Sequence, residues 1–332
     1  MNPEILRRYY MQVLEAPKKK RRAPKKSKDP FHPPLFEARP GHVRLVPCNA
    51  CGGMSFKTLF EKESSLKEVF QVVRCKCGLV QVNPQPDLQA VLPYYADSYF
   101  KKRTDRGYDN YFSDEIKAEI RRVFTMNLED IGFFAYEKKV FEKQRPGRAL
   151  DAGCAAGYFV EYMAERGWNA EGIELSAVAA KPGKARGLRI TVGDFLTHSD
   201  LIPQSYDFIS FWASIEHMHE PARVLLRASE LLQPGGRMVL STCRYGLLAR
   251  LAGRDWRFMN VPEHLYFFSV KRLTRLASEL GFKVVGKVTY GSGLTTRKDA
   301  SPFYRFAKRW LDPLVKLLGQ GDMMVFHLEK MS

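Results

Sequence analysis

The stretch ALDAGCAAGYF, residues 149–159, decides the fold. An apolar run ends in an acid at Asp151, small residues follow, and a sequence with helical character comes directly after them. In open α/β sheets a ligand binds beyond the carboxyl ends of the strands, where a tight turn leads from a strand into a helix. Residues 149–159 therefore predict a β-strand, a ligand-binding turn and the start of a helix.

Strand and helix patterns alternate from residue 148 onward. The strands between amphipathic helices predict an α/β fold, with a doubly wound, seven-stranded and mostly parallel sheet. The last two strands lack this alternation and are predicted to form a terminal hairpin, interrupted by a helix within residues 302–319. The predicted strands are residues 148–153, 169–174, 189–194, 206–212, 237–243, 282–290 and 322–330.

Composition predicts a soluble protein of two parts. The chain has 332 residues, of which 45% are hydrophobic and 27% charged. This length accommodates one α/β domain of about 180 residues and a smaller module. The sequence contains no run of 18 apolar residues, and its first twenty residues lack the apolar core of a secretory signal. We therefore expect a cytoplasmic protein without a transmembrane segment.

Residues 1–40 are predicted to be a disordered basic arm. They hold 11 Lys and Arg against 4 Asp and Glu, so 11 − 4 = +7 of the net charge of +17 lies there. The run PKKKRRAPKKSKDPFHPP has almost no apolar content and cannot form a core. Such an arm is most often a solvated tail, although it would also attract nucleic acid or an anionic membrane surface.

Residues 41–90 are predicted to form a small module around a zinc ion. Cys48 and Cys51 make a C-x2-C pair, Cys75 and Cys77 make a C-x-C pair, and 23 residues separate the pairs. A glycine follows each pair and permits a tight turn. Four thiolates around structural Zn²⁺ would stabilise a segment that is too small to bury a core. His42 is an alternative fourth ligand, because the second pair is shorter than in the usual zinc ribbon.

Two further segments complete the predicted organisation. Residues 91–147 read as a charged helical linker that caps one edge of the ligand cleft, and residues 148–332 as the ligand-binding domain.

The small-residue turn separates two classes of ligand. A dinucleotide site would require glycine at 155 and 158, where the sequence has Ala155 and Tyr158. The acid-x-G-x-G-x-G pattern of S-adenosylmethionine sites is met at Asp151, Gly153 and Gly157, with Ala155 as its single departure. An acid also suits the ammonium and sulfonium of S-adenosylmethionine better than it suits phosphates. The turn therefore favours the methyl donor.

The next two strand ends add matching groups. Glu174 ends the second strand, where a carboxylate can accept hydrogen bonds from both ribose hydroxyls. Asp194 ends the third strand and is expected to accept from the adenine amino group, while Phe195 lines the ring.

These motifs give the chain a family resemblance. The EH pair at 216–217 after the fourth strand, the PGG turn at 234–236 and the segment PEHLYFFSVKRLTRLASELGF from residue 262 accompany the donor turn and the two cysteine pairs. Residues 46–330 thus resemble bacterial class I S-adenosylmethionine-dependent methyltransferases with an N-terminal zinc-ribbon-like module, a type often associated with sugars and glycans. The resemblance implies that Asp151, Gly153 and Gly157 bracket the methionine end, and that residues 211–214, including Trp212, line the floor beneath the sulfonium.

Candidate catalytic residues follow from the chemistry of methyl transfer. Alignment of the acceptor supplies much of the rate, and an oxygen or carbon acceptor must also lose a proton. His217 and His264 lie on segments expected to approach the cleft mouth, and Glu263 is placed to orient His264. We expect His264 to contact substrate and to accept the proton.

The predicted function is methyl transfer to a small polar acceptor, such as a sugar, a nucleotide-sugar or a cell-surface glycan. An RNA methyltransferase that grips RNA through the arm and the zinc module is the alternative, and a donor-binding scaffold without activity is the third hypothesis. Against RNA, the module carries Lys57, Lys62, Lys67, Arg74 and Lys76 without an aromatic stacking platform.

Overall fold

The computed structural model describes residues 43–95, 110–293 and 301–331. The predicted basic arm at residues 1–40 and His42 lie outside these residues. The described part begins with short strands and a small helix. They are β1 Val43–Arg44, β2 Phe56–Glu63, β3 Val69–Cys75, β4 Val80–Val82, β5 Gln85–Pro86 and α1 Leu88–Val91, the last followed by a 3₁₀ turn at Leu92–Tyr95.

Two helices precede the main sheet. Helix α2, Asp114–Asp130, begins at Ser113, whose hydroxyl accepts a hydrogen bond from the backbone N–H of Ile116 at 3.3 Å, and two acids occupy its first turn. Helix α3 spans Phe133–Phe141 and starts after Gly132, a left-handed residue with φ +70°. The apolar sides of both helices pack on the main sheet in one cluster.

The rest of the chain forms the main sheet and its crossovers. The strands are β6 Arg148–Ala152, β7 Asn169–Glu174, β8 Ile190–Val192, β9 Tyr206–Trp212, β10 Leu232–Cys243, β11 Tyr266–Phe267, β12 Phe282–Tyr290 and β13 Met323–Lys330. The helices are α4 Tyr158–Glu165, α5 Ala177–Ala185, α6 Pro221–Leu231, α7 Leu247–Ala252, α8 Val270–Glu279 and α9 Pro302–Leu317.

The main sheet has seven strands in the order β12-β13-β10-β9-β6-β7-β8. Strands β8, β7, β6, β9 and β10 are parallel, and β13 is antiparallel to both β10 and β12. Strand order reverses between β6 and β9, so a crevice opens there beyond the strand ends. The predicted doubly wound, seven-stranded sheet and its terminal hairpin are confirmed. Several strand bounds differ from the predicted ones. Strand β10 begins at Leu232 rather than at residue 237, because α6 ends at Leu231 and leads directly into it, and β8 covers only Ile190–Val192 of the predicted 189–194.

The small N-terminal sheet includes one strand from the main domain. Strands β2, β3 and β4 pair antiparallel in sequence order, and β11 adds to the edge of β4, with Tyr266 opposite Gln81. Buried residues of this sheet belong to the same apolar cluster as the face of the main sheet that α6 and α8 cover. The two parts therefore share one continuous core.

Among the described residues, none of the helices combines the length and apolar character that crossing a bilayer requires.

Candidate active site

The turn after β6 has a left-handed backbone at alternate positions. Gly153 and Gly157 have φ of +73° and +74°, and Ala155 between them has φ of +45°. A Cβ on Gly153 would lie 2.6 Å from the Cβ of Ser214, and one on Gly157 would lie 2.7 Å from the Cδ1 of Ile190. Glycine is required at both positions, whereas Ala155 adopts a conformation that is costly for a residue with a side chain.

Glu174 ties this turn to the end of β7. Its Oε2 accepts a hydrogen bond from the backbone N–H of Ala155 at 2.9 Å, and its Oε1 accepts one from the N–H of Ser176 at 2.8 Å. Burial raises the pKa of the Glu174 carboxyl, and the bonds from these N–H groups oppose that rise. The carboxylate is therefore fixed at the rim of the crevice.

Asp151 lies deeper, inside β6. The residue is 4% exposed, and its Oδ1 accepts a hydrogen bond from the Ser210 hydroxyl at 2.6 Å. Burial raises the pKa of the Asp151 carboxyl to about 7. The hydrogen bond from the Ser210 hydroxyl opposes this rise of the pKa, and the negative charge of Glu174 adds to it. Two buried carboxyl groups thus give this end of the sheet a negative potential when they are ionised.

A cleft of about 650 Å³ opens where these elements meet. Its volume suits a ligand of nucleoside size or somewhat larger. The cleft contains Asp194, whose Oδ1 accepts a hydrogen bond from the N–H of Leu196 at 2.6 Å, and Phe195, whose ring packs edge-on against Phe211 at 5.5 Å between centroids. Of the residues predicted to bind the donor, Gly153, Glu174, Asp194 and Phe195 line this cleft.

Three other residues expected at the donor do not line the cleft, namely Asp151, Gly157 and Trp212. Asp151 lies beneath the turn, and Gly157 lets the turn pack on β8. The Trp212 ring lies between Phe124 and Phe159, with centroid distances of 4.7 and 5.2 Å. Asp151, Gly157 and Trp212 therefore pack behind the residues that line the cleft.

The N-terminal module forms the opposite wall. Val43, Arg44, Asp87, Leu88 and Tyr95 all line the cleft. The sequence predicted a cap from residues 91–147 alone, and the contribution of β1 and α1 was missed, because an extended pair of residues carries no periodic signal. The Asn-Pro-x-Pro motif at residues 83–86, directly before Asp87, was the sequence signal that could have indicated this wall of the cleft.

The two candidate histidines meet at one side of the cleft. Their rings are 4.6 Å apart between centroids and nearly perpendicular. His217 lines the cleft, whereas His264 is 4% exposed and lies behind it. We therefore expect His217, rather than His264, to contact the substrate directly, because the burial of His264 separates it from the cleft.

Backbone carbonyls orient both imidazoles. The Nδ1 of His217 lies 2.7 Å from the carbonyl oxygen of Glu263, and the Nδ1 of His264 lies 2.8 Å from that of Phe258. A carbonyl only accepts, so each Nδ1 carries a proton and each Nε2 keeps its lone pair. Glu263 thus orients His217 through its carbonyl, rather than orienting His264 through its carboxylate. The hydroxyl of Tyr95, a residue not predicted, also lies 2.9 Å from the His217 Nδ1.

Two clusters among the described residues could hold a metal ion. Glu216, His217 and His264 offer ligand atoms that lie within 4.8 Å of one another. The other cluster is that of the four cysteines, whose sulfurs satisfy the same limit.

The cysteine cluster has the shape of a tetrahedral metal site. The Sγ atoms of Cys48 and Cys77 are 3.5 Å apart, as are those of Cys51 and Cys75. A Zn²⁺ ion with Zn–S bonds of about 2.3 Å needs sulfurs about 3.8 Å apart. Each pair lies on a tight turn, in which the N–H groups of Gly52 and of Gly78 donate to the carbonyls of Cys48 and Cys75. The C-x-C spacing of the second pair therefore does not prevent the four sulfur atoms from lying close enough to bind one metal ion.

Known proteins resemble this chain in its main domain. A family model described as a methyltransferase domain matches residues 123–287. The ubiquinone biosynthesis O-methyltransferase of Aeromonas salmonicida is 29% identical over 150 residues, covering 41% of this chain and 63% of that protein. The protein of the same name from Marinobacter nauticus is 33% identical over 103 residues, covering 29% of this chain and 43% of that protein. In both comparisons the chain spans less than two thirds of the relative's length.

A solved S-adenosylmethionine-dependent methyltransferase from Archaeoglobus fulgidus aligns with 70% of this chain and all of its own, at 17% identity and a TM-score of 0.48. Residues 123–287 of this chain therefore match a methyltransferase domain, and a four-cysteine module precedes them.

Proposed function

We propose that this protein transfers a methyl group from S-adenosylmethionine to a hydroxyl oxygen of a small polar acceptor, of the sugar, nucleotide-sugar or glycan class. One observation carries the proposal. The donor turn at Gly153 and the oriented imidazole of His217 line the same cleft.

The chain's own groups fit the donor. Glu174, Asp194 and Phe195 line the cleft. In this proposal the Glu174 carboxylate accepts from the ribose hydroxyls, Asp194 accepts from the adenine amino group, and the Phe195 ring lies beside the base. The donor's ammonium and sulfonium favour the negative end of the sheet around Asp151 and Glu174. Gly153 and Ser214 pack together at the lining of the cleft, where a Cβ on residue 153 would meet Ser214.

His217 acts as the general base. When bound, S-adenosylmethionine supplies a methyl carbon activated by its positive sulfur. The Nε2 of His217 takes the proton of the acceptor hydroxyl as the oxygen–carbon bond forms and the carbon–sulfur bond breaks. The electrons of the broken carbon–sulfur bond would stay with the donor, whose positive charge is thereby neutralised, and His217 would end the step protonated. The Glu263 carbonyl holds the ring in the tautomer that this step requires.

Two findings support a small hydroxyl acceptor. The two relatives compared above are named ubiquinone biosynthesis O-methyltransferases. The cleft is walled on its far side by α1 and Tyr95, which narrows the space that an acceptor enters. RNA remains the alternative acceptor, and the assay below includes it.

The four cysteines hold a structural zinc ion in this proposal. Two cysteine pairs that hold a metal fit a reducing compartment such as the cytoplasm. A site made of four thiolates is closed, so it fixes the position of the module that walls the cleft and takes no part in methyl transfer.

The test is a transfer assay with donor labelled in its methyl group. The full chain is incubated with small polar metabolites in one arm and with total RNA in the other. The proposal expects label in the small-molecule fraction and its loss in a His217→Asn variant. Label that appears only in RNA would reject the acceptor class. Absence of donor binding in calorimetry would reject the activity itself.

A further inference from the structure

We propose that this protein binds the surface of an anionic lipid bilayer, with helix α9 lying in the interface and a neighbouring basic groove on the lipid phosphates. The inference does not rest on the proposed acceptor. It begins from a helix whose apolar side faces outward.

Helix α9 exposes a stripe of large apolar side chains. Phe303, Phe306, Trp310, Leu314 and Leu317 follow one another at spacings of three and four residues and so share one face. Their exposed fractions run from 49% for Leu314 to 84% for Leu317, and Trp310 is 66% exposed. A helix at the surface of a globular protein normally turns such a stripe toward the core.

The polar side of α9 holds it to the domain. Asp312 accepts from the N–H of Ser292 at 3.0 Å, and Lys316 pairs with Asp130 at 2.6 Å. None of the α9 side chains that the structure describes is fully buried. The helix is therefore anchored with its apolar face outward, which is the orientation that an interfacial membrane helix needs.

A groove rich in cations borders the C-terminal end of this helix. It is lined by nine Lys and Arg residues against one Glu, and Lys316 at the end of α9 and Gln320 just beyond it form one side. Arg74, Arg250, Lys271 and Lys287 make no ion pair with any residue that the structure describes. Helix α7 adds Leu247 to the same groove and leaves Leu251 76% exposed beside it. Exposed apolar side chains and unpaired cations thus occur near the C-terminal end of α9.

The combination selects a bilayer over other occupants. A second copy seated on α9 would bring two sets of like charges together. Single-stranded RNA would need exposed aromatic rings in the groove, but the aromatic residues lining it, Tyr245 and Phe326, are 7% and 0% exposed. A membrane surface with anionic lipids satisfies both features, because its phosphates pair with the cations and its acyl boundary accepts Trp and Phe.

Vesicle cosedimentation of the full chain tests the apolar face. We expect partitioning onto phosphatidylcholine vesicles that contain about one third phosphatidylglycerol, and weaker partitioning onto phosphatidylcholine alone. Trp310→Glu should lower the partition coefficient at least about tenfold, because it removes a large apolar anchor and adds a charge. Ile202→Glu is the matched control, since Ile202 is 57% exposed in the loop before β9, and it should bind like the parent.

A second pair of variants tests the groove. Arg250→Ala with Lys271→Ala should weaken binding to the anionic vesicles roughly 30-fold, since each cation near the surface contributes about a fivefold factor. The same change should leave binding to neutral vesicles unaltered. Lys138→Ala with Lys139→Ala removes two exposed cations from α3 and should have little effect. Unchanged thermal midpoints show that the variants are folded, and Phe306→Ser replaces Trp310→Glu if the latter is not.

Three outcomes would overturn the proposal. The first is no binding of the parent to either vesicle. The second is RNA binding that Arg250→Ala with Lys271→Ala removes and Trp310→Glu retains, in the absence of vesicle binding. The third is a dimer in light scattering that Trp310→Glu dissociates, again without vesicle binding.

Discussion

The backbone N–H of Ala155 donates to the Oε2 of Glu174 at 2.9 Å and so joins the turn after β6 to the end of β7. The geometry of the turn and the position of the carboxylate therefore depend on each other. This arrangement strains the backbone at Ala155, which adopts φ of +45° at the position where the donor pattern has glycine.

Ala155→Gly should raise the free energy of unfolding by about 0.5–1 kcal/mol. Relief of the left-handed alanine exceeds the entropy that glycine adds to the unfolded chain. Urea unfolding measures the difference. Ala156→Gly is the control, because Ala156 is buried and does not have a positive φ, so that change should destabilise. Equal losses in both variants would show that Ala155 is unstrained.

Glu174→Ala should weaken S-adenosylmethionine binding by roughly 1.5–3 kcal/mol through the loss of a charged hydrogen bond. Titration calorimetry on the full chain measures it. Glu171→Gln is the matched control, since Glu171 lies on the same strand but bonds to Arg148 and Tyr206 outside the cleft. Unaltered donor affinity in Glu174→Ala would remove this carboxylate from the binding site.

The contribution of Asp151 to the free energy of unfolding should fall as pH rises from about 4 to about 7. The pKa of the Asp151 carboxyl is raised to about 7 in the folded protein, above its usual value near 4, so the folded state binds more protons in this window. The contribution is complete below the unfolded pKa and is lost as pH passes the folded one. Asp151→Asn keeps an acceptor for the Ser210 hydroxyl and should flatten this part of the profile. Chemical unfolding across the window measures it, and identical slopes in both proteins would contradict the assignment.

The sequence predicted the main sheet well because its signals are local. Strand β9, YDFISFW, is mostly apolar, as is typical of a central parallel strand, and its predicted bounds are those of the structure. The donor turn could also be predicted, because its glycine pattern is a local sequence signal. The structure explains the pattern, since a Cβ on Gly153 or Gly157 would collide with a neighbouring element.

What the sequence could not predict depends on contacts between distant segments. Strand β11 has two residues and joins the N-terminal sheet across a separation of more than a hundred positions. His264 looked like a pocket residue because aromatic residues follow it, yet those rings pack around it in the core. Tyr95 reaches His217 only because the module folds over the cleft.

Zinc analysis should find one zinc ion per chain in protein purified without chelator. Cys48→Ser with Cys75→Ser removes one ligand from each pair and should abolish retention, because the site needs thiolates from both turns. Cys154→Ala is the control, since Cys154 is buried outside the cluster, and it should retain zinc. Full zinc retention in the double variant would place the ion elsewhere.

His217→Asn should lower turnover by about 10²–10⁴-fold while donor affinity stays within a few-fold of the parent. The asparagine amide can still donate to the Glu263 carbonyl, so the change removes the Nε2 base and preserves the anchor. His219→Gln is the matched control. His219 also lines the cleft, and its Nε2 donates to the Pro86 carbonyl at 3.0 Å, so His219→Gln tests whether the loss of any imidazole from the cleft lowers turnover. A small loss in His219→Gln beside a large one in His217→Asn supports the assignment. Full turnover in His217→Asn would remove this imidazole from the mechanism and leave alignment of the acceptor to account for the rate.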